Sequence, residues 1–182
     1  MTLISKLHEY ATAGLDNRFW YEESNRNAAE FCRKHNIPIT DFVAVLAILS
    51  PRVQVSRSIR LAKQYVLEND TRGIMQQRIR ALDIWRATGN VSGVKINSFF
   101  DSLMLKGGTV CVDIHMSRLF GFDERLMSTT KHWTKKREQV KRVVRKLAKR
   151  WNVTSYQMQA ILWCGYLKTD APRKNGFEAM TF

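Results

Sequence analysis

Apolar positions recur at helical spacing along most of the chain, and no period-2 run of useful length interrupts them. An all-α fold is therefore expected. Helices are predicted over residues 2–13 and 20–35, with Asn36-Ile37-Pro38 as a break after the second. Thr40 reads as the N-cap of the third helix, with Asp41 in its first turn, where a carboxylate suits the positive helix end. Phe42 to Leu49 are apolar without exception, so this helix should be buried on every side, and Pro51 ends it at Ser50. Further helices are expected over 55–67, over 74–88, and from 94 or 95 to 105. Lys106-Gly107-Gly108 stops the last of these, with a glycine expected in the left-handed closing position. Asp113 is placed as the N-cap of a helix carrying Met116 and Leu119. Residues 134–150 form a very basic helix, Thr154 and Ser155 cap the last clear one, and the tail after Thr169 is expected to be irregular.

At 182 residues, 45% of them hydrophobic, the chain can bury a sizeable core, and residues 1–182 are expected to form a single helical domain. No apolar run reaches the length of a membrane span, and the first residues lack the long apolar core of a secretion signal. A cytoplasmic, monomeric protein with no membrane partner is the expectation. The net charge of +14 changes the picture more: 30 Lys+Arg against 16 Asp+Glu point to a nucleic acid as partner. Cys32, Cys111 and Cys164 form no CxxC pair, and the four histidines show no ligand spacing, so no metal or cofactor is expected and the thiols read as reduced and buried.

The candidate chemistry lies in Ser92-Gly93-Val94-Lys95 and, downstream, in Val112-Asp113-Ile114-His115. A glycine turn opens a helix whose first residues include Lys95, and an apolar segment ends in Asp113, which opens another. That arrangement can place an amine and a carboxylate in one cleft. A deprotonated amine can attack a sugar C1′, displace the base and leave a Schiff base that loses the 3′ phosphate by β-elimination. Desolvation and the positive helix end lower the pKa of such an amine, while a nearby carboxylate raises it. Asp113 would stabilise an oxocarbenium-like sugar. Taken alone, a lysine is most often solvated and an aspartate at such a position most often a cap. The cap and catalytic roles are compatible, because a cap presents its carboxylate at an open helix end. Backbone N–H groups at Gly93 could hold a DNA phosphate, or the turn could be a plain connection.

Two further features bear on partners. Lys131, Lys135, Lys136, Arg137, Lys141, Arg142, Arg145, Lys146, Lys149 and Arg150 crowd one helix against a lone Glu138, while Val140, Val143, Val144 and Leu147 give it a packing stripe. Lys135, Lys136, Lys141, Arg142 and Arg145 are the candidate DNA-backbone contacts, which would make binding strongly salt-dependent. Among the aromatics core packing is the default, but Trp20 and Trp163, with His115, are candidates for a base pocket.

The spacing of these residues resembles the helix-hairpin-helix DNA glycosylases of the endonuclease III superfamily. Gly93-Val94-Lys95 looks like the end of that family's Gly-x-Gly-x-Lys hairpin, with Val91 at the first glycine position. Val112-Asp113-Ile114-His115-Met116-Ser117-Arg118 looks like the segment that follows it. Ala47-Ile48-Leu49-Ser50-Pro51-Arg52 is similar to the loop from which the family inserts a glutamine into the gap left by a flipped base. The matches run from Asp41 to Phe122, with the hairpin and catalytic segment at about 84–122. The four-cysteine iron-sulfur motif has no counterpart, and the small size resembles bacteriophage members. The resemblance implies a two-lobed helix-hairpin-helix glycosylase-like fold acting on double-stranded DNA in a bacterial or host-cell cytoplasm. Lys95 would then be the lyase nucleophile, Asp113 the catalytic aspartate and Arg52 the wedge. Two rivals stand beside it: a DNA-binding protein that keeps the fold without the reaction, and a basic structural or partner-binding protein in which Asp113 only caps a helix.

Overall fold

The computed structural model describes residues 2–122, 125, 129–170 and 180–182, and among these it contains helices and no strand. The helices are α1 (Leu3–Gly14), α2 (Trp20–His35), α3 (Ile39–Leu49), α4 (Val55–Glu68), α5 (Gln76–Thr88), α6 (Val94–Leu103), α7 (Ile114–Leu119), α8 (Lys131–Arg150) and α9 (Ser155–Thr169), with a short 3-10 turn at Leu15–Asn17. The all-α expectation holds.

The reason for this order is the burial of two central helices, α3 and α9. Phe42 to Leu49 of α3 are all buried, as the unbroken apolar run requires. The second central helix is α9, which buries ten of its residues, from Tyr156 to Leu167, Gln159 among them. It lies between two apolar clusters. One gathers α2 to α6 around α3 and takes Tyr156, Ala160 and Cys164 from α9. The other gathers α1, α7 and α8 with Val110 and Val112, and takes Met158, Ile161, Leu162, Tyr166 and Leu167. Trp163 packs against both. Residues 180–182 return to the first cluster, where Phe182 meets Phe31 and Phe42 and Met180 is buried.

Several boundaries differ from the sequence expectation. Thr40 is not a cap: α3 begins at Ile39 behind Pro38, whose carbonyl accepts from Asp41 and Phe42. Proline's fixed φ is already helical, so it starts the helix earlier than a side-chain cap would. The left-handed residue that closes α6 is Leu105, at φ 56°, and not one of the glycines that follow it. Lys106 N donates back to Asp101 O at 2.9 Å, and this closure fixes the position whatever residue fills it. α8 starts at Lys131, a turn before the expected Thr134. The irregular tail expected after Thr169 falls largely on residues 171–179, which lie outside the described ones. All three cysteines are free and buried, as expected.

Candidate functional site

Lys95 stands in the first turn of α6, just behind Gly93, whose φ of 106° is one that L side chains rarely adopt. The turn therefore fixes where α6 begins and so the direction in which Lys95 leaves it. Its Nζ donates to Ser50 Oγ at 2.7 Å and lies 4.9 Å from the centre of the Phe99 ring. Ser50 is the C-cap of α3, and its own hydroxyl donates to Ala47 O at 2.9 Å, which leaves a lone pair facing the lysine. The break that Pro51 imposes on the core helix is thus what presents Ser50 to Lys95.

The amine is desolvated. Burial pushes Lys95 below the ordinary lysine range, Cys111 and Asp113 push it back up, and Arg78 pushes it down. Cys111 is itself raised to about 12 by burial, so it is a neutral thiol at neutral pH. Asp113 is then the anion that acts on the lysine. Among the described residues no ion pair joins the two, so the carboxylate acts at a distance.

Asp113 is the N-cap of α7, as its place in the sequence predicts. Its Oδ1 accepts from Met116 N at 2.8 Å, while Ser117 Oγ donates to its backbone carbonyl. Val110, Cys111 and Val112 anchor the segment that leads to it, all of them buried. Lys95 thus belongs to a helix of the first cluster and Asp113 to one of the second, and the pair sits at their junction.

The three candidate pocket residues come together at that same junction. His115 lies in the first turn of α7, its ring 6.2 Å from that of Trp163, and Trp163 meets Trp20 at 5.6 Å. Trp20 is buried at 4% exposure and serves as a core residue; Trp163 is half-buried. His115 Nδ1 and Trp163 Nε1 are both buried without a hydrogen-bond partner.

The basic helix reaches this region from the other side. Arg145 Nε donates to Gly108 O at 3.2 Å, and Lys141, paired with Glu138 at 2.9 Å, is close enough to act on Cys111. Lys135 and Arg142 are exposed, and Lys136 Nζ lies 5.2 Å from the Phe122 ring. α8 therefore flanks the segment that carries Asp113. Arg52 is exposed on the loop between α3 and α4, at a left-handed φ of 61°.

Sequence reasoning missed Ser50 as the partner of Lys95 and Arg78 as a second charge acting on it. Ser50 stood inside the quoted Leu-Ser-Pro segment, but its pairing spans 45 positions that only the packing of α3 on α6 brings together. Arg78 is one of several arginines on α5, with no pattern to single it out. Among the described residues, no three His, Cys, Asp or Glu side chains gather as a metal site.

The chain belongs to a family of unknown function, DUF7178, whose model matches residues 3–170. No curated protein and no solved structure matches it.

Proposed function

We propose that this protein is a DNA glycosylase with an associated AP lyase activity, built on a two-lobed helix-hairpin-helix glycosylase-like fold. The observation that carries the reading is the half-buried amine of Lys95, held by Ser50 behind a glycine turn and biased toward its neutral form, within electrostatic range of Asp113. The two apolar clusters on either side of α9 suit two lobes with the site at their seam. α5, the turn at residues 89–93 and α6 suit the hairpin, with Trp85 against Phe100 across it.

In the proposed reaction the Lys95 lone pair attacks C1′ as the bond to the base breaks. The base departs with that electron pair and takes up a proton. Asp113 stabilises the positive charge that develops on the sugar. The nitrogen then gives up a proton, the C1′–O4′ bond breaks to open the ring as the C1′=N bond forms, and O4′ takes up a proton. C2′, beside the Schiff base so formed, gives up a proton, and the 3′ phosphate leaves with the C3′–O electrons. Water then hydrolyses the Schiff base and frees the amine. The distance between Lys95 and Asp113 leaves them unpaired, as two groups acting on one sugar must be. α8 would hold the DNA backbone beside them through Lys135, Lys136, Lys141, Arg142 and Arg145.

Borohydride trapping on an abasic-site duplex tests this. A covalent complex formed by wild type and absent with Lys95→Gln supports it, and equal trapping, or none, with both proteins sinks it. One observation favours a second reading, a DNA-binding protein without the reaction: Lys95 Nζ already has protein partners in Ser50 Oγ and the Phe99 ring, as a structural lysine has. That protein would bind duplex in a salt-sensitive way, indifferent to Lys95→Gln and Asp113→Asn.

A further inference from the structure

The turn after α3 and the loop before α5 border an open cavity of about 440 Å³ that the reaction above does not use. Among the described residues, every charged side chain on its wall is an arginine: Arg52, Arg57 and Arg78. Leu61 and Ile74 make the apolar part of that wall. Three guanidinium groups around one cavity repel one another, and among the described residues of the wall none is acidic.

Two helices also begin here. α4 starts after Gln54 and α5 after Met75, both of which line the cavity. Neither N-cap offers a side-chain acceptor to the first N–H groups of its helix. Both positive helix ends therefore add to the field of the arginines. Arg78 carries a further mark: its Nε is buried and has no hydrogen-bond partner. A buried charged donor left without an acceptor is costly, and a ligand oxygen would remove that cost. The planar guanidinium fork matches the oxygens of a phosphate or carboxylate two at a time.

We propose that this cavity is a phosphate-ester site, in which Arg52, Arg57 and Arg78 hold the phosphate and Leu61 and Ile74 pack against the organic part. The inference rests on the nucleic-acid reading of this protein but not on chemistry at Lys95. A backbone phosphate of a bound strand is the source that fits best. The cavity is open to the surface, and Leu49 and Arg52 on its wall flank Ser50, which holds Lys95. One phosphate seated here would fix a strand beside the lysine. A free mononucleotide offers the same phosphate chemistry, so the test separates the two.

Fluorescence anisotropy with a labelled abasic-site duplex compares the full-length wild type with Arg78→Gln and Arg57→Gln over a salt series. The expected result is binding weakened about tenfold at fixed salt and a salt slope lower by about one for each variant. Arg78→Lys should recover the slope but not the full affinity, because it restores the charge without the fork; a merely structural loss would restore neither. Thermal unfolding checks that the variants fold, and Arg57→Gln serves should Arg78→Gln not. Thymidine 5′-monophosphate and thymidine are titrated in parallel against the arginine Nε signals by nuclear magnetic resonance. Shifts with the nucleotide alone, together with unchanged duplex binding, would overturn the strand as the source and assign a free nucleotide. Unchanged duplex binding and silent spectra would overturn the phosphate site itself. Borohydride trapping on the same samples keeps the two proposals apart. Trapping that persists while the arginine variants bind normally sinks only the cavity. Arginine-dependent binding without trapping by wild type sinks only the lyase.

Discussion

Gly14 of α1 and Gly165 of α9 let two helices cross backbone against backbone. A Cβ on Gly14 would stand 1.9 Å from Ile161 O, and one on Gly165 would stand 1.8 Å from Tyr10 O. Neither obstacle is a side chain that could swing away. The crossing pins α1 to the central helix of the fold, and the hydrogen bond from Tyr10 Oη to Asp170 closes the same seam. Gly165→Ala should therefore destabilise the protein by about 3 kcal/mol or more, at the upper end of overpacking. Gly107→Ala, with nothing within 4 Å of its Cβ, should stay within about 0.5 kcal/mol. Urea unfolding of both variants checks this, and similar midpoints would refute the reading of the crossing.

That crossing was not legible in the sequence, where Gly14 and Gly165 follow no motif and only the three-dimensional path shows what each must clear. The buried helices were partly legible. Phe42 to Leu49 announced α3 because nothing polar interrupts them, whereas α9 mixes Gln157, Gln159 and Lys168 into its apolar residues and conceals its central place. At the site, Asp113 was legible as a cap because capping is a local matter of one side chain and the next three N–H groups. Lys95 was legible as the residue behind a glycine turn. Its bond to Ser50 and the charge of Arg78 beside it are tertiary facts, set by which helix packs on which, and local spacing carries no record of them.

Partly burying Lys95 should weaken the fold. Its ammonium gives up water for one hydroxyl and a ring face, and Arg78 adds repulsion. Lys95→Met keeps the length of the side chain and removes the charge, while Ser50 keeps its bond to Ala47 O. The variant should gain about 1 kcal/mol at neutral pH, in line with the exchange of poorly compensated buried charges for apolar groups, and should lose all borohydride trapping. The sign of the pH effect follows from the same burial. The folded lysine has a lowered pKa and the unfolded one its ordinary value. Between the two the unfolded state holds more protons, so wild-type stability rises with pH through that window, and Lys95→Met lacks that rise. Chemical denaturation across the window measures both, and a less stable Lys95→Met would count against the argument.

Asp113→Asn separates the electrostatic role of the carboxylate from its capping role. Asparagine caps as well as aspartate, so the bond to Met116 N and the start of α7 should survive. The negative charge that raises the Lys95 pKa is gone, so the lysine should titrate at lower pH than in wild type. Reductive methylation with carbon-13 and a nuclear magnetic resonance titration reads this directly. An inflection that stays put would show that the carboxylate does not reach the amine. Asp113→Ala should also lose about 1 kcal/mol of stability, since it removes the cap together with the charge.

The cations of α8 should divide by what they touch. Lys135 and Arg142 are exposed, whereas Arg145 is tied to Gly108 O and Lys141 to Glu138. If the helix holds a DNA backbone, Lys135→Ala with Arg142→Ala should lower the salt slope of duplex binding by about two and leave thermal stability unchanged. Arg145→Ala should lower the slope by about one and also loosen the loop at Gly108, which carries the chain toward Asp113. Its borohydride trapping rate, measured at saturating duplex, should therefore fall, while that of the double variant should not. Val144→Ala, in the buried stripe of the same helix, supplies the contrast: a loss of about 1–3 kcal/mol in stability, as for other buried large-to-small changes, with an unaltered salt slope. Salt slopes that ignore all three exposed cations would leave α8 as a packing helix with a charged face and remove it from the proposed interface.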